Sequence, residues 1–475
     1  MSNTRTRFAP SPTGFMHIGN LRTAIFEYLV AKHNNGKFIL RIEDTDQVRK
    51  VEGATKFIYD TLKLCDIKID EGPENPGDVG PYVQSDRKDI YKEYALKLVE
   101  LGEAYYCFCT EDRLDTLRKM YDEKKQAFKY DRNCLNLSKE EIENNLKNNV
   151  PYVIRQKMPT SGISSFNDVV YGEIKVSNDI LEDQILLKSD GFPTYNFANV
   201  IDDHLMGITH VIRGNEYLSQ TPKYNLLYKA FGWEAPTYIH VPMVLGEDGN
   251  KLSKRNGDAS FMDLYNDGYL PEAIVNYLVL LGWSPKDNKE IFTMEELIKD
   301  FDPARISKSP SIYDVKKLGW VNSHYIKKLS DEELFNITFP HLKRYYDVSN
   351  KDNTWIMTLI NLYKDELRYG KEIVELAKMF FEEEYCLDEE CIEFMKQEGT
   401  DEVISSFKKE IELIGNWSID NIAQAINNVK EKTGFKGKML YMPIRIKTTG
   451  FMHGPELAKT IYLFGYEKII NRLGK

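Results

Sequence analysis

The first 42 residues alternate between short apolar runs and a longer stretch with helical periodicity. Residues 4–9 are predicted to form a strand that ends in a proline- and glycine-rich turn at 10–14. From about Asn20 the apolar residues recur at helical spacing, at Leu21, Ala24, Ile25, Tyr28, Leu29 and Ala31. An Asn-Asn-Gly sequence at 34–36 ends this helix, and residues 37–42 are predicted to form the next strand. Strand, turn, helix and strand make a βαβ unit, so we expect a parallel sheet.

Further along the chain the hydrophobic pattern changes character. Residues 84–101 form another amphipathic pattern, whereas the region from about 105 to 188 combines charged helical segments with strand-like runs. We interpret this region as an insertion that interrupts the sheet. The strand-like runs beyond the first unit are 152–155, 169–171, 185–187 and 209–213. Past about Ile326 the pattern is that of charged amphipathic helices, so the sequence predicts an α/β region followed by a helical one.

Composition restricts the class of protein. A chain of 475 residues exceeds one compact domain, and two to four domains are expected. No run is apolar enough to span a membrane, and the N-terminus lacks a signal-peptide pattern. Six cysteines in this length do not make a disulfide framework, which favours a reducing cytoplasm. The net charge of −10 argues against nonspecific polyanion binding, but an RNA needs only a local basic face.

The segment 17–20 reads His-Ile-Gly-Asn and lies where the first turn meets the first helix. Backbone N–H groups and the helix dipole favour phosphate at such a junction. Gly19 allows a ligand to approach the backbone, and His17 can donate to a phosphate oxygen. On its own this motif is more typical of a turn histidine without a role, and the proline- and glycine-rich turn before it favours the phosphate site.

The segment 251–255 reads Lys-Leu-Ser-Lys-Arg and follows a predicted loop at 246–250. Lys254 on a mobile loop can neutralise a triphosphate during group transfer. The simpler alternative is a solvated basic loop. In this order and at this distance, the two motifs predict one ATP site built from two halves of a split nucleotide-binding fold.

Several motifs together resemble the class I aminoacyl-tRNA synthetases, and the segment 7–14 (Arg-Phe-Ala-Pro-Ser-Pro-Thr-Gly) resembles their glutamyl and glutaminyl branch. The matching stretches are 7–20, 41–46, 187–195, 199–204, 212–214 and 251–255. Over its whole length the chain is similar to the bacterial-type glutamyl-tRNA synthetase family, whose helical anticodon-binding end is resembled by 442–445 and 453–456. Glutaminyl enzymes carry β-barrels after the catalytic motifs, so a helical tail favours the glutamyl branch.

The resemblance implies a Rossmann-type parallel sheet of the class I synthetases, split by an α+β insertion and followed by an all-helical C-terminal anticodon-binding region. The implied divisions are the Rossmann catalytic domain, first half (1–100), the acceptor-stem-binding insertion (101–188), the second Rossmann half (189–245), the stem-contact region (246–326) and the helical anticodon-binding region with two subdomains (327–475).

The resemblance also implies roles for single residues. Arg7 and Arg213 would hold the glutamate side-chain carboxylate, and Glu43 would accept the substrate ammonium, in line with the chemistry of these groups. The implied remaining glutamate-binding residues are Ser11, Tyr195 and Asn199. The implied ATP-binding residues are His17, Gly19, Lys251, Ser253 and Lys254, of which His17 and Lys254 are catalytic.

The sequence also allows simpler interpretations of some of these residues. Tyr195 and Asn199 also fit ordinary turn and cap positions. A solvated charge cluster at the end of a strand would equally explain Arg41, Glu43, Asp44 and Asp46.

The implied reaction activates L-glutamate with ATP and Mg²⁺ to glutamyl-adenylate and transfers it to the 3′-terminal adenosine of tRNA(Glu), releasing AMP and diphosphate. A monomer is the family expectation, and the sequence leaves open whether tRNA(Gln) is charged too. The rival functions are a glutaminyl-tRNA synthetase, a glutamyl-transfer enzyme that modifies a tRNA base, and a catalytically inactive tRNA-binding scaffold. The base-modifying relatives lack an anticodon-binding end, whereas this chain continues far beyond the segment 251–255.

The cysteines contain one grouped set. Cys107, Cys109 and Cys134 resemble the zinc-ligand pattern of some family members, with Tyr130 as a candidate fourth ligand. Asn136 stands where some relatives have a histidine ligand. A zinc site and a set of free thiols both fit this sequence. The cysteines outside the set are Cys65, Cys386 and Cys391.

Overall fold

The computed structural model describes residues 3–14, 16–46, 51–126, 128–250, 252, 260–382 and 386–474. The chain forms two compact units. The α/β unit comprises 1–264 and 274–315, and the helical unit comprises 265–273 and 316–475.

The predicted βαβ unit is present at the N-terminus. Strand β1 (Arg5–Phe8) pairs in parallel with β2 (Lys37–Leu40), from Arg5 opposite Lys37 to Phe8 opposite Leu40, and helix α1 (Ile18–His33) connects them. The helix begins slightly earlier than the apolar pattern predicts because the His17 ring caps it by accepting from the Gly19 N–H. At the other end, Gly36 is needed because any Cβ there would lie 2.1 Å from the Thr4 carbonyl oxygen.

A larger sheet surrounds this unit. The remaining strands are β3 (Ala104–Cys107), β4 (Val153–Gln156), β5 (Ile163–Asp168), β6 (Gly172–Ser177), β7 (Ile185–Leu187), β8 (His210–Gly214), β9 (Thr237–Val241), β10 (Val244–Leu245) and β11 (Ser311–Ile312). Strands β8 and β9 are parallel, and β5 and β6 continue the sheet beyond β9. Strand β1 lies beside β8, since the Thr209 N–H donates to the Arg5 carbonyl at 3.0 Å. The two-stranded sheet β2-β1 therefore adjoins the four-stranded sheet β8-β9-β5-β6 at β8. This arrangement confirms the predicted Rossmann-type parallel sheet, to which β5 and β6 add a hairpin that was not predicted.

The segment before the second half of the sheet contains its own antiparallel sheet, β3-β4-β7. The strand predicted at 152–155 is confirmed as β4, but the one predicted at 169–171 is wrong. Residues 169–171 form the turn between β5 and β6, because the N–H groups of Val170 and Tyr171 both donate to Asp168 Oδ1 at 2.9 Å. This local hydrogen bonding overrides the β-propensity of the Val-Val-Tyr sequence.

The helices up to residue 250 are α1, α2 (Ala54–Leu64), α3 (Lys88–Glu100), α4 (Glu111–Glu123), α5 (Lys139–Lys147), α6 (Tyr195–Leu205) and α7 (Thr221–Phe231). Those beyond it are α8 (Phe261–Asn266), α9 (Pro271–Leu280), α10 (Met294–Asp300), α11 (Val315–Ile326), α12 (Asp331–Tyr345), α13 (Asn353–Leu362), α14 (Ile373–Leu376), α15 (Lys378–Phe381), α16 (Glu389–Met395), α17 (Thr400–Glu412), α18 (Ile419–Thr433), α19 (Lys438–Thr449), α20 (Leu457–Phe464) and α21 (Tyr466–Gly474). Within 316–382 and 386–474 every regular element is helical, which confirms the predicted helical C-terminal region.

Apolar packing explains why these elements form. In the α/β unit the interior includes a cluster in which Ile39 of β2 and Val211 of β8 pack with Met206. In the helical unit, Cys391 and Phe394 pack with Ile446 of α19. Among the described helices, none has the length and apolar character needed to cross a bilayer.

Candidate active site

A cavity of about 440 Å³ opens where the carboxyl ends of β1, β8 and β9 meet. Ligand sites of parallel α/β sheets lie at this edge, because turns and helix N-termini point there. The predicted site residues that line the cavity are Arg7, Ser11, His17, Gly19, Glu43, Tyr195 and Arg213. The fold thus brings together residues that are far apart in the sequence.

One described residue of the predicted set does not line this cavity, and three others lie outside the described residues. Asn199 is absent from its lining; it is buried in α6, and its Nδ2 donates to the Tyr195 carbonyl at 2.9 Å. Lys251, Ser253 and Lys254 lie outside the described residues, although Leu252 between them lines the cavity.

His17 lies at the N-terminus of α1, where the positive end of the helix dipole favours an anion. Its Nδ1 accepts from the Gly19 N–H at 3.1 Å. In the neutral ring the proton must therefore be on Nε2. This tautomer makes His17 a hydrogen-bond donor at the wall of the cavity.

Arg7 belongs to a buried ion-pair network. Its Nε donates to Asp203 Oδ1 at 2.9 Å, and its Nη1 lies 3.3 Å from Glu27 Oε1. Arg41, which is fully buried, donates to the same Asp203 oxygen at 2.7 Å. Burial opposes the charge of Arg7, but attraction to Asp203 outweighs it and raises the pKa of Arg7 above its ordinary value. Arg7 is therefore a permanently charged, rigidly held guanidinium.

Glu43 is a buried carboxyl in the same wall. Its Oε1 accepts from Arg41 Nη2 at 3.0 Å and from Gln84 Nε2 at 3.4 Å. Burial raises the pKa of Glu43 to about 7, although Arg41 and Arg7 act in the opposite direction. Such a carboxyl favours a cationic ligand because an ammonium would offset the cost of its buried charge.

The solvated charge cluster considered for 41–46 does not describe this segment. Arg41, Glu43 and Asp44 are buried, whereas Asp46 is exposed. Asp44 accepts from both the N–H and the hydroxyl of Ser85 at 2.9 Å. The charges of this strand end are therefore directed into the protein.

The guanidinium of Arg213, at the end of β8, is held by neutral hydrogen-bond acceptors and not by a carboxylate. Its Nε donates to His240 Nε2 at 3.1 Å, and its Nη2 donates to Thr221 Oγ1 at 2.8 Å. The guanidinium also faces the rings of Tyr217 and Tyr224, at 5.2 and 4.6 Å. No carboxylate among the described residues forms an ion pair with it, although only 6% of Arg213 is exposed. A buried charge of this kind fits an anionic ligand.

Sequence reasoning assigned no role to several groups that shape this cavity. Arg41 and Asp203 lie inside the motif stretches 41–46 and 199–204, and this position is the only feature of the sequence that points to a role for them. Glu27, His240 and Asp168 carry no local motif, because their importance depends on contacts between elements distant in the chain.

The grouped cysteines form a second cluster, away from the cavity. The Sγ atoms of Cys107, Cys109 and Cys134 all lie within 4.8 Å of one another, and Tyr130 Oη is 3.3 Å from both Cys107 and Cys109. Hydrogen bonds from Cys134 and Tyr130 lower the pKa of Cys107. Sulfur ligands of a tetrahedral zinc are about 3.8 Å apart, given bonds of about 2.3 Å. The cluster has dimensions that fit such an ion.

Residues 3–320 match the family model "tRNA synthetases class I (E and Q), catalytic domain", and residues 333–475 match "Anticodon binding domain". The α/β fold and its cavity are therefore those of a class I tRNA synthetase catalytic domain.

The comparison with known proteins narrows this class. The chain is 52% identical over 454 residues to the glutamate–tRNA ligase of Clostridium novyi (strain NT), covering 95% of this chain and 92% of the relative. It is 50% identical to that of Clostridium acetobutylicum, covering 99% and 97%. The chain belongs to the glutamate–tRNA ligase family.

Solved structures agree with this assignment. A glutamate–tRNA ligase from Elizabethkingia meningosepticum, crystallised in complex with its amino acid, matches with a TM-score of 0.86 at 36% identity, covering 99% of this chain and 98% of that one. The glutamate–tRNA synthetase of Elizabethkingia anophelis matches with a TM-score of 0.89 at 35% identity, covering 99% of each chain.

Proposed function

We propose that this protein activates L-glutamate with ATP to glutamyl-adenylate and transfers the glutamyl group to the 3′-terminal adenosine of tRNA(Glu), releasing AMP and diphosphate. The observation that carries the proposal is the buried, carboxylate-free Arg213 in the same cavity as the buried carboxyl of Glu43. An amino acid with an acidic side chain supplies the complementary charge to both.

In this proposal Arg213 and Arg7 bind the side-chain carboxylate and Glu43 binds the ammonium. Ser11 and Tyr195 line the same cavity and add hydrogen bonds. Asn199 acts on the amino-acid site through Tyr195, whose backbone carbonyl it binds.

The nucleotide half of the proposal uses the N-terminus of α1. His17 and Gly19 receive phosphate there, and Lys251, Ser253 and Lys254 complete the ATP site. The α-carboxylate of glutamate attacks the α-phosphate in line, and pyrophosphate leaves while His17 and Lys254 stabilise the developing negative charge. A ribose hydroxyl of the terminal adenosine, the 2′ oxygen by family resemblance, then attacks the mixed anhydride and releases AMP.

Enzymes of this class use ATP with Mg²⁺, which neutralises phosphate charge when bound. Of the carboxyl side chains that line the cavity, Glu43 and Glu27 are engaged with arginines, whereas Glu216 has no ion pair with an arginine among the described residues. The phosphate oxygens of ATP are expected to supply ligands to Mg²⁺, as substrate phosphates commonly do.

We infer the same division of labour along the chain as the resemblance implies. Residues 1–100 and 189–245 form the catalytic halves, 101–188 bind the acceptor stem, 246–326 contact the stem, and 327–475 read the anticodon. The family model matched at 333–475 supports the last assignment. We also propose a cytoplasmic monomer, with tRNA(Gln) as a second tRNA to be tested.

The decisive experiment is charging of tRNA by the purified protein. We expect attachment of glutamate to tRNA(Glu) that depends on ATP, with glutamine inactive. A tRNA(Gln) transcript in parallel shows whether the second tRNA is accepted. Charging with glutamine alone, or tRNA binding without charging, would replace the proposal with one of the rival functions.

We further propose that Cys107, Cys109, Tyr130 and Cys134 hold one Zn²⁺ that stabilises the insertion. The separations of the thiols support this, as three thiolates with one further ligand suit a structural zinc. The purified protein should contain about one zinc per chain. Cys109→Ser should release the metal and lower the melting temperature, whereas Cys65→Ser, outside the cluster, should keep it. Metal-free protein with full charging activity would contradict the proposal.

A further inference from the structure

His240 on β9 is completely buried between Arg213 and a carboxylate, Asp168. Asp168 lies at the end of β5, the strand next to β9, where it pairs with Tyr238. The three side chains form a continuous chain of hydrogen bonds that ends at the cavity. The inference below deepens the proposed function, and therefore rests on it.

The hydrogen bonds of Asp168 fix the state of this histidine. Asp168 Oδ2 accepts from His240 Nδ1 at 2.6 Å and from the His240 backbone N–H at 3.0 Å. Its Oδ1 accepts from the N–H groups of Val170 and Tyr171. Burial acts to raise the pKa of Asp168, but the bonds from His240 and the backbone outweigh it and hold the pKa below its usual range. Asp168 is therefore a carboxylate whose two oxygens are both occupied by donors.

The ring of His240 is consequently oriented. Its proton lies on Nδ1, toward Asp168, and the Nε2 lone pair faces Arg213 and accepts from Nε at 3.1 Å. Burial lowers the pKa of His240, and the nearby Arg213 charge acts in the same direction. A protonated ring would also point an N–H at the guanidinium. The neutral ring is the form compatible with these contacts.

A second neutral acceptor completes the support of Arg213. Thr221 Oγ1 donates to the Tyr217 carbonyl at 2.8 Å, so its lone pairs are available to accept from Arg213 Nη2. Arg213 is thus oriented at two nitrogens by groups without charge. The Arg213 side chain itself belongs to the wall of the cavity.

We propose that His240, held by Asp168, is a positioning residue that aims Arg213 at the substrate side chain while leaving its positive charge unneutralised, and so sets the preference for glutamate over glutamine. A carboxylate in place of His240 would orient Arg213 equally well, but would satisfy its charge within the protein. A neutral acceptor leaves the substrate carboxylate as the counter-charge, which an amide cannot supply.

The test compares two replacements of His240 with opposite hydrogen-bonding ability. His240→Gln keeps a neutral acceptor for Arg213, and His240→Leu removes it. For His240→Leu we expect kcat/KM for glutamate in tRNA charging to fall about 100-fold, mostly through KM, with the glutamate-to-glutamine ratio narrowed at least about tenfold. His240→Gln should restore most of both quantities. The KM for ATP should be unchanged in both variants.

Controls separate this proposal from a structural effect and from failure of the proposed function. His210→Leu changes a half-buried histidine at the other end of β8, and should keep the glutamate-to-glutamine ratio. If His240→Leu does not fold, Thr221→Val takes its place, because it removes the second acceptor of Arg213 at nearly constant volume. The glutamate-to-glutamine ratio is then measured in that variant. An unchanged glutamate-to-glutamine ratio in His240→Leu, or in Thr221→Val where His240→Leu does not fold, would overturn the inference, as would equal losses in His240→Gln and His240→Leu. A parent protein that does not charge tRNA with glutamate would instead overturn the proposed function.

Discussion

Arg7 and Arg213 line the same cavity, but the two walls that hold them differ in charge. In the Arg7 wall each guanidinium meets carboxylates, with Asp203 shared between Arg7 and Arg41. In the Arg213 wall the acceptors are the neutral groups of His240 and Thr221. The carboxylates of the first wall offset part of the cost of burying their arginines, whereas an unpaired buried arginine keeps that cost until an anion arrives. The first wall therefore favours rigidity and the second favours selection of the ligand.

The largest effect is expected from Arg213→Gln, which removes the unpaired charge. We expect kcat/KM for glutamate to fall by about 1,000-fold or more and the gap to glutamine to narrow, because a site built for a carboxylate loses its counter-charge. The measurement is charging kinetics with both amino acids and tRNA present.

Arg5→Gln is a suitable control, because Arg5 is also on the central sheet but is paired with Glu71 outside the cavity lining. Arg5→Gln should leave the ratio of kcat/KM for glutamate to kcat/KM for glutamine unchanged. If Arg213→Gln kept the parent's preference, Arg7 would be the selecting residue and the assignment of the two walls would be reversed.

In the Arg7 wall the corresponding change should act mainly on stability. Asp203→Asn leaves Arg7 and Arg41 without their shared carboxylate, and removing one partner of a buried ion pair typically costs about 3–5 kcal/mol. Urea unfolding of the parent and the variant measures the difference. Asp190→Asn, at an exposed carboxyl, should change stability by less than about 0.5 kcal/mol. A loss below about 1 kcal/mol in Asp203→Asn would show that the network is not essential to the wall.

The contrast between the walls also shows how far sequence reasoning reaches. The βαβ pattern and the helical tail follow from hydrophobic periodicity, and His17 follows from its motif at the first turn. Arg7 and Arg213 are expected only because the chain resembles a known family. The supports of these arginines are not predicted, because Asp203, Asp168 and His240 come from separate elements whose proximity depends on strand order. Asn199 was expected to contact the substrate, yet its amide is directed to the Tyr195 backbone. The strand expected at 169–171 failed because side-chain hydrogen bonding by Asp168 overrides propensity.

The smallest expected effect is a pH dependence of stability and of glutamate binding, which arises in the Arg7 wall because Glu43 lies there. Glu43, bonded to Arg41, has a pKa raised to about 7 by burial. Because the pKa of Glu43 is raised in the folded protein, this group stabilises the fold below the ordinary glutamate pKa. That contribution is lost as pH rises through about 7. Ligand binding has the opposite trend, because only the carboxylate form attracts an ammonium.

We therefore expect KM for glutamate to rise about tenfold as pH falls from about 8 to 6, since the ionised fraction of a group with a pKa near 7 drops by that factor. Glu43→Gln should bind glutamate weakly at every pH, with a flat KM profile, and should be more stable than the parent above pH 7. Glu27 shares the direction of the pKa shift but not the contact with the ammonium, so Glu27→Gln should keep the pH dependence of KM. A parent KM that is constant over this range would show that Glu43 is ionised throughout, and that the arginines of its wall outweigh its burial.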